Sequence, residues 1–151
     1  MNYSTEILID LPRAEVLKML TSVDNLKHWQ TGFISAEHLS GELGKFGAKM
    51  KLQYKFGSRT MVMLETITKK DLPFEIHYSY STVGMHNVQR NIFQENARGV
   101  TKWISKNEFI PTSFKMRFFL WLMPNIFKKQ SLKYMIDFKN FAEQNISLAN
   151  A

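Results

Sequence analysis

The 151-residue chain has no cysteine, which excludes a disulfide framework, thiolate metal ligands and a cysteine nucleophile. It also lacks a serine in a GxSxG elbow and an HExxH pair, and its histidines, His28, His38, His77 and His86, fall on separate segments. Neither a hydrolase triad nor a zinc site therefore has a motif behind it, and no metal or cofactor is expected. Long apolar runs are missing too. The most apolar segment, SFKMRFFLWLM, reaches Pro124 before the roughly 20 residues that a membrane-spanning helix needs. The opening Met1-Asn2-Tyr3-Ser4-Thr5-Glu6 is polar and acidic where a secretory signal would be basic and then apolar, so the expected location is cytoplasmic. Acids are scarce, 13 against 20 lysines and arginines, for a net charge of +7. That balance permits contact with nucleic acid or an anionic membrane. Lys49, Lys51 and Lys55, however, alternate with apolar residues as on any solvated sheet face, and no nucleic-acid-reading motif accompanies them. Nucleic acid is not an expected partner.

What is present is an ordinary globular composition, 44% hydrophobic and 22% charged, with no repeat, linker or low-complexity stretch. The expectation is one domain over 1–151 with one real core. TEILIDL reads as a strand from Thr5 to Leu11, ended by Pro12. Asp10 and Pro12 suit a helix start, and Val16, Leu17, Leu20 and Val23 recur at helical spacing. Asp24 suits the cap of a second short helix, DNLKHWQ, which carries Leu26 and Trp29 inward and stops at Gly32. The glycines of GELGKFG match neither a P-loop nor a dinucleotide fingerprint and read as turn residues.

From Ala48 to Phe56 the alternation is clean, with Met50, Leu52, Tyr54 and Phe56 on one face and Lys49, Lys51, Gln53 and Lys55 on the other. Gly57-Ser58 is a two-residue hairpin signal. It pairs Phe56 with Arg59, Tyr54 with Met61, Leu52 with Met63 and Met50 with Glu65, which sets one carboxylate on the apolar face; a three-residue turn would reverse that. Phe74, Ile76, Tyr78 and Tyr80 form a further inward face. An even turn at Val83-Gly84 would put Asn87, Gln89 and Asn91 on the tyrosine side, with His77 opposite Arg90 on the outside. The last strand spans about Val100 to Ile110, but the length of the ENARG turn leaves the face of Trp103 open. Beyond Ser113 the pattern is helical. Phe127, Ser131, Met135, Phe138, Ala142 and Ile146 mark one face of a C-terminal helix, and Lys128, Lys129, Lys133 and Lys139 lie elsewhere.

Strand, two short helices, antiparallel strands and a long C-terminal helix, in that order, resemble the START-like (SRPBCC) superfamily, which has polyketide-cyclase-like and pollen-allergen-like branches. The local marks are Ile9, Pro12, Val16, Leu20, Trp29, Gly47, the Gly99 to Phe109 stretch with Trp103, and the last helix. The resemblance implies an α+β helix-grip fold, a curved seven-stranded antiparallel sheet around the C-terminal helix, with a cavity between them. It carries over no catalytic motif, so fold analogy leaves the question of enzymatic activity open.

The expected function is binding of a small or medium hydrophobic molecule of lipid, polyketide or aromatic type in that cavity. Its expected lining is Trp29, Met50, Leu52, Tyr54, Met61, Met63, Ile76, Tyr78, Tyr80 and Trp103, with Phe119, Met123, Phe127 and Met135 from the two last helices. Asn87, Gln89, Asn91 and Glu65 would orient the ligand's polar groups. Each aromatic can equally be core, and methionine is an ordinary gap filler. Glu65 is also the candidate acid/base of a cyclase or dehydratase, because a carboxyl among Met50, Met63 and Ile76 would have a raised pKa. Against that, it can sit at the rim or pair with a lysine or Arg90. FFLWLMPNIFKK offers apolar residues beside lysines, as a lipid or quinone chaperone working at a membrane surface would. Burial over the cavity mouth is the preferred reading of that segment, since its apolar residues run on all sides.

Overall fold

In the computed structural model, which describes residues 1–150, β1 (Asn2–Ile9) leads into α1 (Arg13–Leu20) and, after a single 3₁₀ turn, α2 (Leu26–Trp29). Six strands follow: β2 (Phe33–Ser40), β3 (Lys49–Phe56), β4 (Arg59–Asp71), β5 (Glu75–Thr82), β6 (Met85–Glu95) and β7 (Thr101–Pro111). Two helices, α3 (Phe114–Leu122) and α4 (Ile126–Gln144), close the chain. The strands form one antiparallel sheet in the order β1-β7-β6-β5-β4-β3-β2. This is the helix-grip α+β architecture, with α4 laid against the sheet.

Strand pairing explains where the first strand departs from expectation. β1 begins at Asn2 because Met1 exchanges hydrogen bonds with Phe109, its amino terminus donating to the Phe109 carbonyl at 2.9 Å and its own carbonyl accepting at 2.8 Å. It ends at Ile9, whose partner Thr101 is the first residue of β7. Pro12 precedes α1 in extended conformation, with no side-chain cap from Asp10. Asp24 does not cap the second helix either; it falls inside the 3₁₀ turn.

The central hairpins follow the sequence. Phe56 pairs with Arg59, Tyr54 with Met61, Leu52 with Met63 and Met50 with Glu65. The Val83-Gly84 turn has two residues, so Tyr80 faces Asn87, Tyr78 faces Gln89, Ile76 faces Asn91, and His77 faces Arg90 on the convex side. Phe74 is a correction. It precedes β5, is 55% exposed, and its ring lies under the Arg13 guanidinium at 5.1 Å. β2 has no clear alternation; it is an edge strand whose register shifts between Phe33 and Ser35 and between His38 and Ser40, and such bulges erase the period-two signal.

The hydrophobic core gathers at one end of the concave face, where Ile9, Val16, Leu17, Ile76, Phe93, Trp103, Met135 and Phe138 are buried together with Trp29. Trp29 meets Phe138 edge-on at 5.3 Å, and Trp103 meets the same ring at 5.6 Å. α4 is tied to β1 by the Tyr3 hydroxyl, which donates to the Phe127 carbonyl (3.0 Å) and shares a hydrogen bond with Ser131 (2.7 Å), and by Lys139 donating to the Leu8 carbonyl (2.6 Å). The helix ends in left-handed Asn145, so Ile146 lies past it and is exposed.

The reading of the 114–122 segment as buried cover is overturned. Leu120 is buried there, but Phe114, Phe118, Trp121, Leu122 and Met123 are exposed. Hydrophobic residues on all sides gave the appearance of a core helix; in the fold only one side of α3 meets protein.

Gly32 joins α2 to the sheet with φ of +77°, and a Cβ there would lie 2.2 Å from the Lys55 carbonyl oxygen, beside the bond from the Lys55 N–H to the Gly32 carbonyl (2.7 Å). Gly99 has φ of +75° with open space around it. Chemical denaturation should show Gly99→Ala costing about 1–2 kcal/mol for its left-handed backbone. Gly32→Ala should cost clearly more, because backbone must also move; equal costs would contradict this close approach.

Candidate functional site

The pleat sorts the inward residues into rows that cross the strands. One row runs Met50, Glu65, Tyr80, Asn87 and Phe109; the next runs Ile67, Tyr78, Gln89, Asn107 and Tyr3. The following rows, through Ile76, Asn91, Ser105 and Thr5 and then Phe93, Trp103 and Ile7, descend into the core. The concave face thus has a packed end and an end lined by polar and aromatic groups.

At the lined end Glu65 stands across from Tyr80. Burial is the main influence on its carboxyl and lifts its pKa from 4.5 to about 7, against a smaller opposing effect from the Tyr80 hydroxyl, which donates to it. Among the described residues no cation forms an ion pair with Glu65; Arg90 lies on the other face, between His77 and Lys106. Tyr54, Tyr78 and Tyr80 are pushed above the ordinary phenol value, first by burial and further by the charge of Glu65. At neutral pH all three are therefore neutral phenols, of which Tyr80 donates to the Glu65 carboxyl. Tyr54 is held by a 2.7 Å bond to Gln30, which fixes the end of α2 against β3.

Beside this cluster runs a chain of amides. The Trp103 indole donates to Asn91 (3.0 Å), Asn91 to Gln89 (3.0 Å), Gln89 to Asn107 (3.3 Å), and Asn107 to Ser105 (3.0 Å), while Asn87 also donates to Asn107 (3.2 Å). The face of Trp103, open in the sequence, is thereby settled as inward. Asn107 and Ser105 are members that pattern reading missed. The signal was present in the alternation Thr101, Trp103, Ser105, Asn107 and Phe109, once Trp103 is known to face in. Two buried groups nearby, the Thr5 hydroxyl and the Trp29 indole N–H, have no hydrogen-bond partner among the described residues.

The expected lining residues divide accordingly. Met61, Met63, Glu65, Tyr78, Tyr80 and Gln89 are half-buried at the lined end, with Tyr54, Leu52 and Asn87 buried beside them. Trp29, Ile76, Trp103 and Met135 belong to the packed core. Phe127 stacks on Phe109 at 4.4 Å and receives the edge of Phe119 at 6.4 Å. Met123 is exposed at the turn after α3 and takes no part in the concave face. Two surface depressions lie elsewhere. One of about 330 Å³ is on the convex side among Ser4, Val88, Arg90, Lys106 and Glu108; one of about 250 Å³ is at the α3–α4 turn among Leu122, Met123, Ile126 and Lys129. No group of metal-ligating side chains occurs among the described residues, and no helix among them is long and apolar enough to cross a membrane.

No protein-family model matches the sequence, and no curated protein does. Solved structures match over nearly the full length at low identity. The Zhui aromatase/cyclase from a Streptomyces species aligns with a TM-score of 0.79 at 11% identity, covering 100% of this chain and 98% of that one. TTHA0849 from Thermus thermophilus gives 0.77 at 12%, covering 97% and 100%. Ara h 8.0201 gives 0.72 at 14%, covering 94% and 97%. With the element order, the sheet and the placement of the last helix, these likenesses show that the chain has the helix-grip α+β fold that those structures share.

Proposed function

We propose that the lined end of the concave face, beneath α4, binds a small or medium apolar molecule bearing at least one hydroxyl or carbonyl group. The observation that carries this reading is Glu65, a carboxyl without a cationic partner among three tyrosines, on a face that otherwise carries methionines, aromatic rings and the uncharged amide chain. An unpaired acid of this kind costs stability, which is consistent with a group kept for a ligand. Apolar ligand surface contributes about 25 cal/mol per Å² before association costs. The amide chain and Glu65 then select among ligands by their polar atoms.

A second reading is turnover of such a ligand. It is supported by the likeness to an aromatase/cyclase and by an acid that titrates near neutrality. As an acid Glu65 can protonate a departing hydroxyl; as a carboxylate it can remove a proton next to a carbonyl. Cyclisation or dehydration of a polyketide-like or aromatic substrate needs those two acts, and one group with a pKa of about 7 serves both.

The binding reading is tested by purifying the protein without detergent and analysing the denatured extract by mass spectrometry, alongside titration with anilinonaphthalene sulfonate. The expected result is an apolar compound or probe site present in the wild type and lost in Tyr78→Ala/Tyr80→Ala. Equal probe binding by both proteins, with no co-purified compound, would overturn it. Glu65→Gln should retain binding within about threefold; if the protein is an enzyme, turnover should fall by at least about 10²-fold, and unchanged turnover removes Glu65 from catalysis.

The pH dependence has a definite sign. With a folded pKa of about 7 against 4.5, the fold holds more protons than the unfolded chain between those values, so Glu65 erodes stability as pH rises through that window. The stability of Glu65→Gln relative to wild type should be constant below pH 4.5, rise by about 3 kcal/mol through the window, and level off above it. A flat difference across pH would show that the carboxyl is not desolvated.

A further inference from the structure

α3 carries two apolar stripes, of which the sheet uses one. At about 100° per residue, Met116, Phe119, Leu120 and Met123 share the stripe that meets protein through Leu120 and Phe119. Phe114, Phe118, Trp121 and Leu122 share the opposite stripe and are 88%, 60%, 75% and 56% exposed. The Phe118 and Trp121 rings lie 6.0 Å apart and form a ridge. Lys115 and Arg117 flank that ridge on its two sides, with the Arg117 guanidinium 5.9 Å from the Phe114 ring. Val83 is almost fully exposed at the neighbouring β5–β6 turn, where the Gly84 carbonyl accepts from Thr112 (2.9 Å), and it adds apolar surface at the same end.

Charge decides what can cover this ridge. From Phe109 to Ile136 the chain has five cations and no acid; Lys133 is paired with Asp137 one turn further on, and Lys115, Arg117, Lys128 and Lys129 have no ion-pair partner among the described residues. A two-fold contact between copies would set these four cations against their own equivalents. A negatively charged lipid surface meets both features: the rings settle at the boundary of head groups and acyl chains, and the lysine and arginine stems reach back to the phosphates. We propose that the outer face of α3, together with Lys115, Arg117, Lys128 and Lys129, docks the protein on an anionic membrane. This surface is separate from the concave face and does not depend on what that face binds.

The test uses the full chain and vesicles of phosphatidylcholine with or without phosphatidylserine, at low and high ionic strength. Trp29 and Trp103 are buried and Trp121 is exposed, so acrylamide quenching reports on the ridge directly. The expected result is co-sedimentation with the anionic vesicles that weakens with salt, with Trp121 shielded from acrylamide. Phe118→Ser/Trp121→Ser, at exposed positions, should keep the wild-type melting temperature and lose binding. Lys128→Gln/Lys129→Gln should bind about thirty-fold more weakly, at roughly fivefold per lysine. Tyr78→Ala/Tyr80→Ala should bind vesicles as the wild type does. Absence of wild-type binding at low ionic strength, or undiminished binding by the double serine variant, would overturn the proposal. So would a concentration-dependent dimer that this variant abolishes without any vesicle binding, which assigns the ridge to self-association.

Discussion

The meeting of Trp29, Trp103 and Phe138 is the contact on which the rest of the fold depends. It joins α2, β7 and α4, three elements far apart in sequence, through edge-to-face rings 5.3–6.3 Å apart. Such pairs add about 0.5–1.5 kcal/mol each beyond the area they bury. Because the cluster sits at one end of the sheet, it anchors the middle and later turns of α4 there. The earlier turns of the helix rest instead on Tyr3 and Phe109, the β1–β7 side of the rows that form the lined end. One sheet can therefore supply a close-packed core and a polar, aromatic wall without conflict.

The two ends are joined electrically as well as mechanically. The indole of Trp103 belongs to the core, yet its N–H starts the amide chain that ends beside Tyr78 and Tyr80. Each amide is held by its neighbours, so the polar wall is ordered by its own hydrogen bonds, and ordering it would cost the proposed ligand less. Glu65 sits next to this ordered wall in a site where its two protonation states are close in free energy at neutral pH.

Much of this was legible in the sequence, for physical reasons that differ by residue. The placement of Glu65 followed from one two-residue turn and the period of a strand, because register in a hairpin is set locally. The alignment of Asn87, Gln89 and Asn91 with the tyrosines followed in the same way. Trp103 could not be placed, since its face depended on the length of the turn at Gly99. β2 left no trace because an edge strand with two bulges has no regular alternation to read. α3 was misread for a deeper reason: composition reports how apolar a helix is, and it does not report how much protein is available to cover it. The aromatic stripe at Phe114, Phe118, Trp121 and Leu122 has the same spacing whether it faces a sheet or water.

β2 also bears on how the protein behaves in a crowded solution. A sheet ends in strands whose outer N–H and C=O groups are free to recruit another chain. β2 exposes Ile34 and Leu39 on such an edge, which by composition alone would invite stacking of one molecule on the next. The shifts after Phe33 and His38 interrupt the spacing of its outward groups, so an incoming straight strand can match only a few of them at a time. Glu37 and His38 between those shifts add groups that are costly to dehydrate. The irregularity that hid this strand from pattern reading is thus also what keeps a curved, seven-stranded sheet from growing into an extended one.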